Sequence, residues 1–369
     1  MLNIGLSGLG KMGISHLAIA NTHPKVKLIG VCDTSSYVRD VLSKYTGVRV
    51  YSDYQALLNE TTLDAIIIAT PSRFHGQMVR AALERNLNVF CEKPFCLDVE
   101  AGMELAEIAL RKGLVNQVGY HYRFVRSFNE AKRLINAKVL GRIHHIRIEA
   151  YGPVVLRPAS ATWRTSRNEG GGCLYDYACH AIDMMNYLVG QPQSVGGTVL
   201  SKVFSRDVED EVYATLFFPD GMTGQIAANW SDDTFRRMSM EVTIWGTNGR
   251  MTIDRQQIKT FIRDAASNSL PIAQGWDVRY TTDLPFDVQY YLRGEEYSAQ
   301  MDYFFQSITE GRKDNISSFA SAVQTDLVVS MMLRDADRTY RKGETRSKPQ
   351  ASKQRPARSL LTMIQGALG

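Results

Sequence analysis

The chain has 369 residues, of which 44% are hydrophobic and 22% are charged. This length exceeds what one hydrophobic core usually fills, so we expect at least two domains. The composition excludes the disordered, collagen-like and disulfide-rich classes. No hydrophobic run reaches the roughly 20 residues of a membrane span, and a strand-like run from Leu2 leaves no room for a signal peptide. We therefore expect a soluble cytoplasmic protein.

The net charge of +5 is concentrated near the C-terminus. Residues 338–358 contain eight Lys or Arg and one acidic residue, Glu344, so this window carries +7 and the remaining chain −2. We interpret residues 346–369 as a basic, solvated tail, with contact to a polyanion or a membrane surface as the alternative. We expect no nucleic-acid partner.

The five cysteines give no pattern of a metal or disulfide site. Their number is odd and no pair has C-x-x-C spacing. Asp176, Cys179 and His180 are close in sequence but lack a second ligand pair, so we expect no metal.

The first 120 residues alternate strand and helix patterns. The strand candidates are Leu2–Ser7, Lys27–Cys32, Asp64–Ala69, Asn88–Cys91 and Leu114–Val118. The helix candidates are Lys11–Asn21, Tyr37–Tyr45, Phe74–Arg85 and Asp98–Arg111. This alternation predicts βαβ units, and therefore a parallel sheet with helices on both faces.

After about residue 140 the hydrophobic residues alternate with polar ones, as in strands with one buried face. The alternating runs lie near residues 146–151, 212–218 and 238–245, and turn signals follow at Pro219–Gly221 and Asn248–Gly249. Adjacent strands should therefore be antiparallel. Helices are predicted at about Tyr297–Glu310 and Ser318–Tyr340. The fold class is α/β followed by α+β, with domains at 1–123 and 124–345 before the tail.

A glycine-rich motif lies between the first strand and the first helix. It consists of Gly8, Leu9, Gly10, Lys11, Met12 and Gly13. In this context the glycines allow a tight turn, a close approach of backbone to a pyrophosphate, and close packing of helix on strand. The motif predicts dinucleotide binding; turn glycines without a ligand are the alternative.

Asp33 follows the second predicted strand. A carboxylate at this place accepts hydrogen bonds from the ribose of NAD and repels the extra phosphate of NADP. We therefore predict NAD, with NADP possible. In the alternative interpretation Asp33 caps the next helix.

Polar residues also follow the next two strands, where ligands of parallel sheets bind. Thr70, Pro71 and His75 follow one strand, and Glu92 and Lys93 follow the other. A lysine here can hydrogen-bond a substrate hydroxyl and stabilise a developing alkoxide. In the alternative interpretations, His75 is a helix-start residue with no role in the chemistry, and Lys93 forms a surface salt bridge in a loop.

A second constellation follows the glycine run at 170–172. Asp176, His180 and Asp183 have the spacing of one helical face in an otherwise apolar helix. Burying such groups is costly unless they are paired or used. A histidine there suits a proton acceptor for an alcohol, and a structural His–Asp pair is the alternative.

Together these motifs resemble the Gfo/Idh/MocA oxidoreductases, relatives of glucose–fructose oxidoreductase and inositol dehydrogenase. The resemblance covers about residues 2–342 and is based on Gly8–Gly13, Ala69-Thr70-Pro71, Glu92-Lys93-Pro94 and the D-x-x-x-H-x-x-D pattern at 176–183. It implies a Rossmann domain followed by an α+β domain. The open sheet of that second domain often forms a subunit interface, which implies a homodimer or a homotetramer.

The resemblance also implies site residues. The catalytic residues would be Lys93, Asp176 and His180. The cofactor contacts would be Gly8, Leu9, Gly10, Lys11, Met12, Asp33, Thr70, Pro71, His75, Glu92, Lys93 and His121. The substrate contacts would be Lys93, Tyr120, Arg123, Trp163, Arg164, Asp176 and His180.

The implied function is an NAD-dependent dehydrogenase or reductase of a sugar, inositol or sugar derivative. Two alternatives remain open: a sugar-sensing repressor that binds a dinucleotide without turnover, and an NAD-dependent glycosidase. The presence of both Lys93 and His180 favours an enzyme over the repressor. Release of a free monosaccharide without net NADH would indicate the glycosidase.

Overall fold

The computed structural model describes residues 1–155, 163–265, 270, 272–284 and 294–346. Residues 347–369 lie outside this part of the chain, so the prediction of a solvated basic tail remains a prediction. The domain boundaries at 123 and 345 likewise remain predictions.

The N-terminal half forms a parallel sheet, as predicted. The strands are β1 (Leu2–Ser7), β2 (Val26–Cys32), β3 (Val50–Tyr51), β4 (Ala65–Ile68), β5 (Asn88–Cys91) and β6 (Asn116–Val118). Their spatial order is β3-β2-β1-β4-β5-β6, and every neighbouring pair is parallel. Strand β3 was not predicted, because two residues are too short for a hydrophobic pattern.

Helices flank this sheet at the predicted places. They are α1 (Lys11–Thr22), α2 (Ser36–Thr46), α3 (Tyr54–Leu58), α4 (His75–Glu84) and α5 (Val99–Lys112). The Asp98 carboxylate accepts hydrogen bonds from the first-turn N–H groups of α5, which explains why the helix begins there. The short helix α3 was not predicted.

The second half forms an eight-stranded sheet. Its strands are β7 (Ile143–Tyr151), β8 (Ser194–Ser201), β9 (Glu211–Phe217), β10 (Thr223–Asn229), β11 (Ser239–Gly246), β12 (Gly249–Ile253), β13 (Gln257–Ile262) and β14 (Gly275–Tyr280). The order is β14-β13-β12-β11-β7-β10-β9-β8. The two predicted turns join antiparallel pairs, β9–β10 and β11–β12. Strands β7 and β10 are parallel, so the sheet is mixed but mostly antiparallel.

The remaining α-helices of the described ranges are α6 (Arg126–Asn136), α7 (Cys179–Val189), α8 (Glu295–Glu310) and α9 (Phe319–Arg346). Helix α8 packs against the parallel sheet through Phe304 and Phe305. Helix α9 continues six residues beyond the predicted end at Tyr340. It contacts both halves, because Val323 packs near Gly102 of α5 and Asp335 accepts a hydrogen bond from the N–H of Thr198 in β8. No helix in the described ranges is long and apolar enough to cross a membrane.

The two faces of the second sheet differ. The inner face packs against the helices and includes the fully buried Ile146 and Ile148. The outer face leaves large aromatic side chains exposed, with Trp276 at 64% and Tyr280 at 54%. This contrast is the pattern of a sheet with one face on a core.

Candidate active site

The glycine loop forms a tight cradle after β1. A Cβ on Gly8, whose φ is +90°, would lie 2.6 Å from the carbonyl oxygen of Ala69, and a Cβ on Gly13 would lie 1.7 Å from the Gly8 oxygen. Gly10 has open space instead, and α1 begins there without a side-chain cap. An uncapped helix N-terminus beside an open glycine fits a pyrophosphate. Leu9 is buried beneath this loop.

The two remaining motif residues begin α1. Lys11 is exposed and Met12 is half-buried. They therefore occupy the first helical turn, where a bound pyrophosphate would lie. Their contact with a cofactor remains a prediction.

Asp33 lies at the edge of this cradle. Its Oδ2 accepts a hydrogen bond from the Leu9 N–H at 2.6 Å, and its Oδ1 accepts one from the Ser35 N–H at 2.8 Å. Ser35 is the residue that caps α2, so the alternative in which Asp33 caps that helix is wrong. Arg39 donates to the Asp33 carbonyl oxygen at 2.9 Å. The carboxylate is therefore held where a ribose next to the pyrophosphate would lie.

His75 joins the loops that follow β4 and β5. Its ring nitrogens lie 2.9 Å from the Thr70 carbonyl oxygen and 2.8 Å from the Pro94 carbonyl oxygen, and the side chain is fully buried. Burial lowers the pKa of His75. The ring therefore fixes the spacing of two loops, one of which carries Pro71. Its contact with a cofactor stays a prediction.

Glu92 is enclosed by three elements. Its Oε1 lies 2.7 Å from His16 Nε2 of α1, and its Oε2 accepts the Lys93 N–H at 3.2 Å. A Cβ on Gly119 would lie 2.8 Å from Oε2, so a side chain after β6 would have to displace the Glu92 carboxylate. Burial opposes ionisation of Glu92, but the hydrogen bond to His16 and the charge of Lys93 outweigh it and lower its pKa. The sequence analysis missed His16, although it is a polar residue on the buried side of α1.

Asp176 is shared by two cations. Lys93 Nζ donates to its Oδ1 and to its main-chain oxygen, both at 2.9 Å, and Arg164 Nε donates to its Oδ2 at 2.9 Å. The Lys93 and Asp176 side chains are 13% and 6% exposed. Burial disfavours both charges, but their attraction outweighs it, raising the pKa of Lys93 and lowering that of Asp176. Lys93 is therefore a cation at neutral pH.

The glycine run at 170–172 explains how Arg164 reaches Asp176. The Gly172 N–H donates to the Arg164 carbonyl oxygen at 3.0 Å, and a Cβ on Gly171 would lie 2.3 Å from that oxygen. Gly172 has φ +108°, and a Cβ there would strike Glu209 Oε1 at 2.1 Å. Glu209 is buried and accepts the Leu174 N–H at the start of the next helix. Sequence reasoning missed Glu209.

That helix begins with a π-helical turn, Leu174–Ala178, which carries Asp176 and precedes α7. Single π turns occur often at functional sites, and they rotate side chains relative to a regular helix. The common helical face of Asp176, His180 and Asp183 stays a prediction. Asp183 binds Arg123 through two hydrogen bonds of 2.9 and 2.6 Å.

Arg123 is therefore not brought to the Lys93–Asp176 pair. It is 3% exposed, and it also donates hydrogen bonds to the Ile316 carbonyl oxygen and to the Ser321 hydroxyl at the start of α9. A role for Arg123 in substrate binding remains a prediction.

His180 lies in a pocket of aromatic rings. The ring centroids of Tyr120, His121 and Tyr122 lie 5.9, 5.0 and 5.4 Å from its own. The side chain is 4% exposed, and Nδ1 has no hydrogen-bond partner in the described part of the chain. Burial and the nearby charge of Lys93 hold the pKa of His180 well below 6.5. The ring is therefore neutral at pH 7 and can accept a proton.

The described residues contain no cluster of three His, Cys, Asp or Glu side chains able to hold a metal ion. Cys179, which is adjacent to His180, donates its thiol to the Tyr175 carbonyl oxygen at 2.9 Å. Its burial raises its pKa to about 12, so it is a thiol at neutral pH.

We predict that His180 titrates well below pH 6.5 in an NMR titration of its ring. Lys93→Met should raise this pKa because it removes the nearby positive charge, but burial should keep the value below that of an exposed histidine. Lys44→Met, which removes an exposed lysine on α2, is the control and should leave the titration unchanged. A parental pKa at or above 6.5 would contradict the account.

We also predict that His16→Leu lowers the free energy of unfolding by about 1–3 kcal/mol near pH 7, because it leaves the Glu92 carboxylate buried without this donor. The pKa of Glu92 is lower when folded, so its stabilisation exists above the unfolded value of about 4.3 and is lost as pH falls. The deficit should therefore shrink in acid.

The matched control for this prediction is His16→Gln, whose side-chain amide can still donate to Glu92. It should recover part of the loss in denaturant unfolding. An equal deficit for both variants at every pH would show that the hydrogen bond is not the cause.

Comparisons with known proteins agree with this geometry. Residues 2–120 match the model of an oxidoreductase family with an NAD-binding Rossmann fold, and residues 128–252 match the Gfo/Idh/MocA C-terminal domain. Together these matches span about two thirds of the chain.

Individual relatives are distant but cover most of the chain. This chain is 25% identical over 332 residues to a Bacillus subtilis scyllo-inositol 2-dehydrogenase (NAD(+)), and the match covers 88% of this chain and 91% of that protein. It is 26% identical over 272 residues to a 2,7-anhydro-N-acetylneuraminate hydratase of Escherichia coli, covering 71% and 70%.

The fold is also similar to solved structures. A levoglucosan dehydrogenase in complex with NADH and levoglucosan has a TM-score of 0.79 at 24% identity, covering 91% of this chain and 97% of that one. The predicted order of two sheets is confirmed by this likeness, and the four sequence motifs lie where the family models match. The chain belongs to the Gfo/Idh/MocA family of NAD-binding oxidoreductases.

Proposed function

We propose that this protein is an NAD-dependent dehydrogenase or reductase that acts on a hydroxyl-bearing carbon of a sugar, inositol or sugar derivative. The observation that carries the proposal is a charged Lys93 paired with Asp176 beside a neutral His180. Lys93 follows β5 at the same edge of the sheet as the glycine cradle, where ligands of parallel sheets bind.

The three residues have separate duties in this proposal. His180 accepts the proton of the substrate hydroxyl, since its ring is neutral. Lys93 donates a hydrogen bond to that oxygen and stabilises the charge that develops on it. Asp176 keeps Lys93 charged and in place. NAD, when bound, supplies the hydride chemistry, and this chain orients it.

The class of sugar is not set by the relatives. One relative is named for an inositol, which is a neutral polyol. Another is named for a neuraminate derivative, which is an acidic sugar. The hydratase among the relatives also supports a second candidate function, a reaction with no net change in NADH. The NAD-dependent glycosidase would be a reaction of this kind. Measuring NADH and sugar products together separates the two candidates.

We further propose that the outer face of the second sheet forms a subunit interface, giving a homodimer or a homotetramer. A row of side chains crosses this face in register, from His145 through Trp245, Arg250 and Phe261 to Trp276. Within this row, the ring centroids of His145 and Trp245 lie 5.2 Å apart, and those of Phe261 and Trp276 lie 5.3 Å apart. The aromatic members of this row are half-buried except Trp276, which is exposed. A partly exposed aromatic patch on a sheet face supports an interface.

We also place the protein in the cytoplasm. All five cysteines are unpaired and buried, as is usual in a reducing compartment.

Variants of Lys93 and His180 test the proposed reaction. Lys93→Ala and His180→Ala should each slow single-turnover hydride transfer by about a hundred- to ten-thousand-fold, the usual worth of a positioned acid or base. NAD binding should survive, because Gly8–Gly13 form the phosphate cradle. Combining the two changes should cost much less than the product of the single losses, since both serve one proton transfer.

Asp176→Ala should weaken substrate affinity as well as turnover in the same assay. Near-parental rates for both Lys93→Ala and His180→Ala would overturn the assignment and favour a sensor that binds NAD without turnover. Calorimetric titration with NAD is the control for folding of the cofactor site.

A second prediction concerns cofactor choice. The parental protein should bind NAD more tightly than NADP, because the Asp33 carboxylate repels a 2′-phosphate. Asp33→Ala should narrow the gap, since Arg39 already lies at this edge. Equal dissociation constants for the two cofactors in the parental protein would remove the basis for this interpretation.

A further inference from the structure

Arg164 is fixed beside the catalytic pair with part of its guanidinium unused. Its Nε binds Asp176, while Nη1 and Nη2 have no partner among the described residues. The side chain is 40% exposed, and its central carbon lies 4.8 Å from the centroid of the Trp163 ring. Two N–H-bearing atoms of a permanent cation are therefore available to a ligand.

Asp176 satisfies only part of the Arg164 guanidinium. Its carboxylate is shared with Lys93, so one carboxylate serves two cations. In the described part of the chain, Asp176 is the carboxylate that Arg164 contacts, whereas Glu92 pairs with His16 and Glu209 accepts the Leu174 N–H. A partly exposed guanidinium whose Nη1 and Nη2 are unused favours an anionic ligand.

Arg164 also has little freedom to lose on binding. Its carbonyl oxygen accepts the Gly172 N–H, and Gly171 packs so closely that a Cβ would lie 2.3 Å from that oxygen. Nε is fixed by Asp176 and the guanidinium face by Trp163. A preorganised guanidinium binds a carboxylate or a phosphate at a small entropic cost.

We propose that Arg164 binds an anionic group of the substrate, so that this site prefers acidic sugars or sugar phosphates to neutral sugars. The proposal rests on the proposed function only in treating the surroundings of Lys93 and Asp176 as the sugar site. The carboxylate and the phosphate share the chemistry, two or more oxygens that accept hydrogen bonds from one guanidinium.

Calorimetric titration of the full chain saturated with NAD tests the preference without requiring turnover. The probes are D-glucose, D-glucuronate and D-glucose 6-phosphate, and the corresponding galactose series. At least one anion should bind about ten- to a hundred-fold more tightly than its parent sugar, as expected for a charge-assisted contact. The anion that binds more tightly shows whether the site prefers a carboxylate or a phosphate.

In Arg164→Gln, the anion should bind no more tightly than its parent sugar. Comparing the ratio of the two affinities cancels any loss of affinity that is common to both sugars. Arg167→Gln is the matched control. Arg167 lies three residues away, is 58% exposed and points to Glu209 at 3.5 Å, so its removal should leave the ratio unchanged.

Three results would overturn the proposal: neutral sugars that bind as tightly as the anions, a preference that survives Arg164→Gln, or no binding of any anion at about 10 mM. Failure of the proposed function looks different. In that case no sugar, acidic or neutral, would support hydride transfer, although anions could still bind.

Discussion

The ion pair between Lys93 and Asp176 is the contact on which the site depends. Lys93 follows a strand of the parallel sheet, and Asp176 lies on the π turn that precedes α7 of the second half. Two charges are expensive to bury, and the pair is tolerable because the Asp176 carboxylate also binds Arg164 while Lys93 also donates to a main-chain oxygen. Burial lowers the pKa of His180, and the charge of Lys93 lowers it further, so the ring is neutral.

Several other features exist to hold this pair in place. Glu92 fixes the main chain at Lys93, and His16 and Gly119 in turn enclose Glu92. On the opposite side, Glu209 binds the first turn of the Asp176 helix. Helices from both halves and the ends of two parallel strands thus converge on a few buried carboxylates. Rigid support of this kind is what precise placement of a proton acceptor and a cation requires.

Much of the architecture could be predicted because it depends on local patterns. Continuous apolar runs marked the parallel strands, and the glycine spacing marked the cradle. Lys93 could be predicted as a site residue because it follows a strand, and His180 because a histidine buried in an apolar helix is costly unless it is paired or used. Their roles stay predictions. His16 and Glu209 could not be found this way, since their partners lie 76 and 35 residues distant in sequence. The π turn that carries Asp176 could not be predicted either, because helical periodicity does not reveal it.

A double-mutant cycle on the ion pair tests the central claim most directly. Single-turnover hydride transfer would be measured in the parental protein, Lys93→Met, Asp176→Asn and the combined variant, each saturated with NAD. If Asp176 acts through Lys93, the combined variant should be about as slow as the slower single variant, because the pair acts as one unit. Losses that multiply would show that the two residues act independently, and would contradict the account.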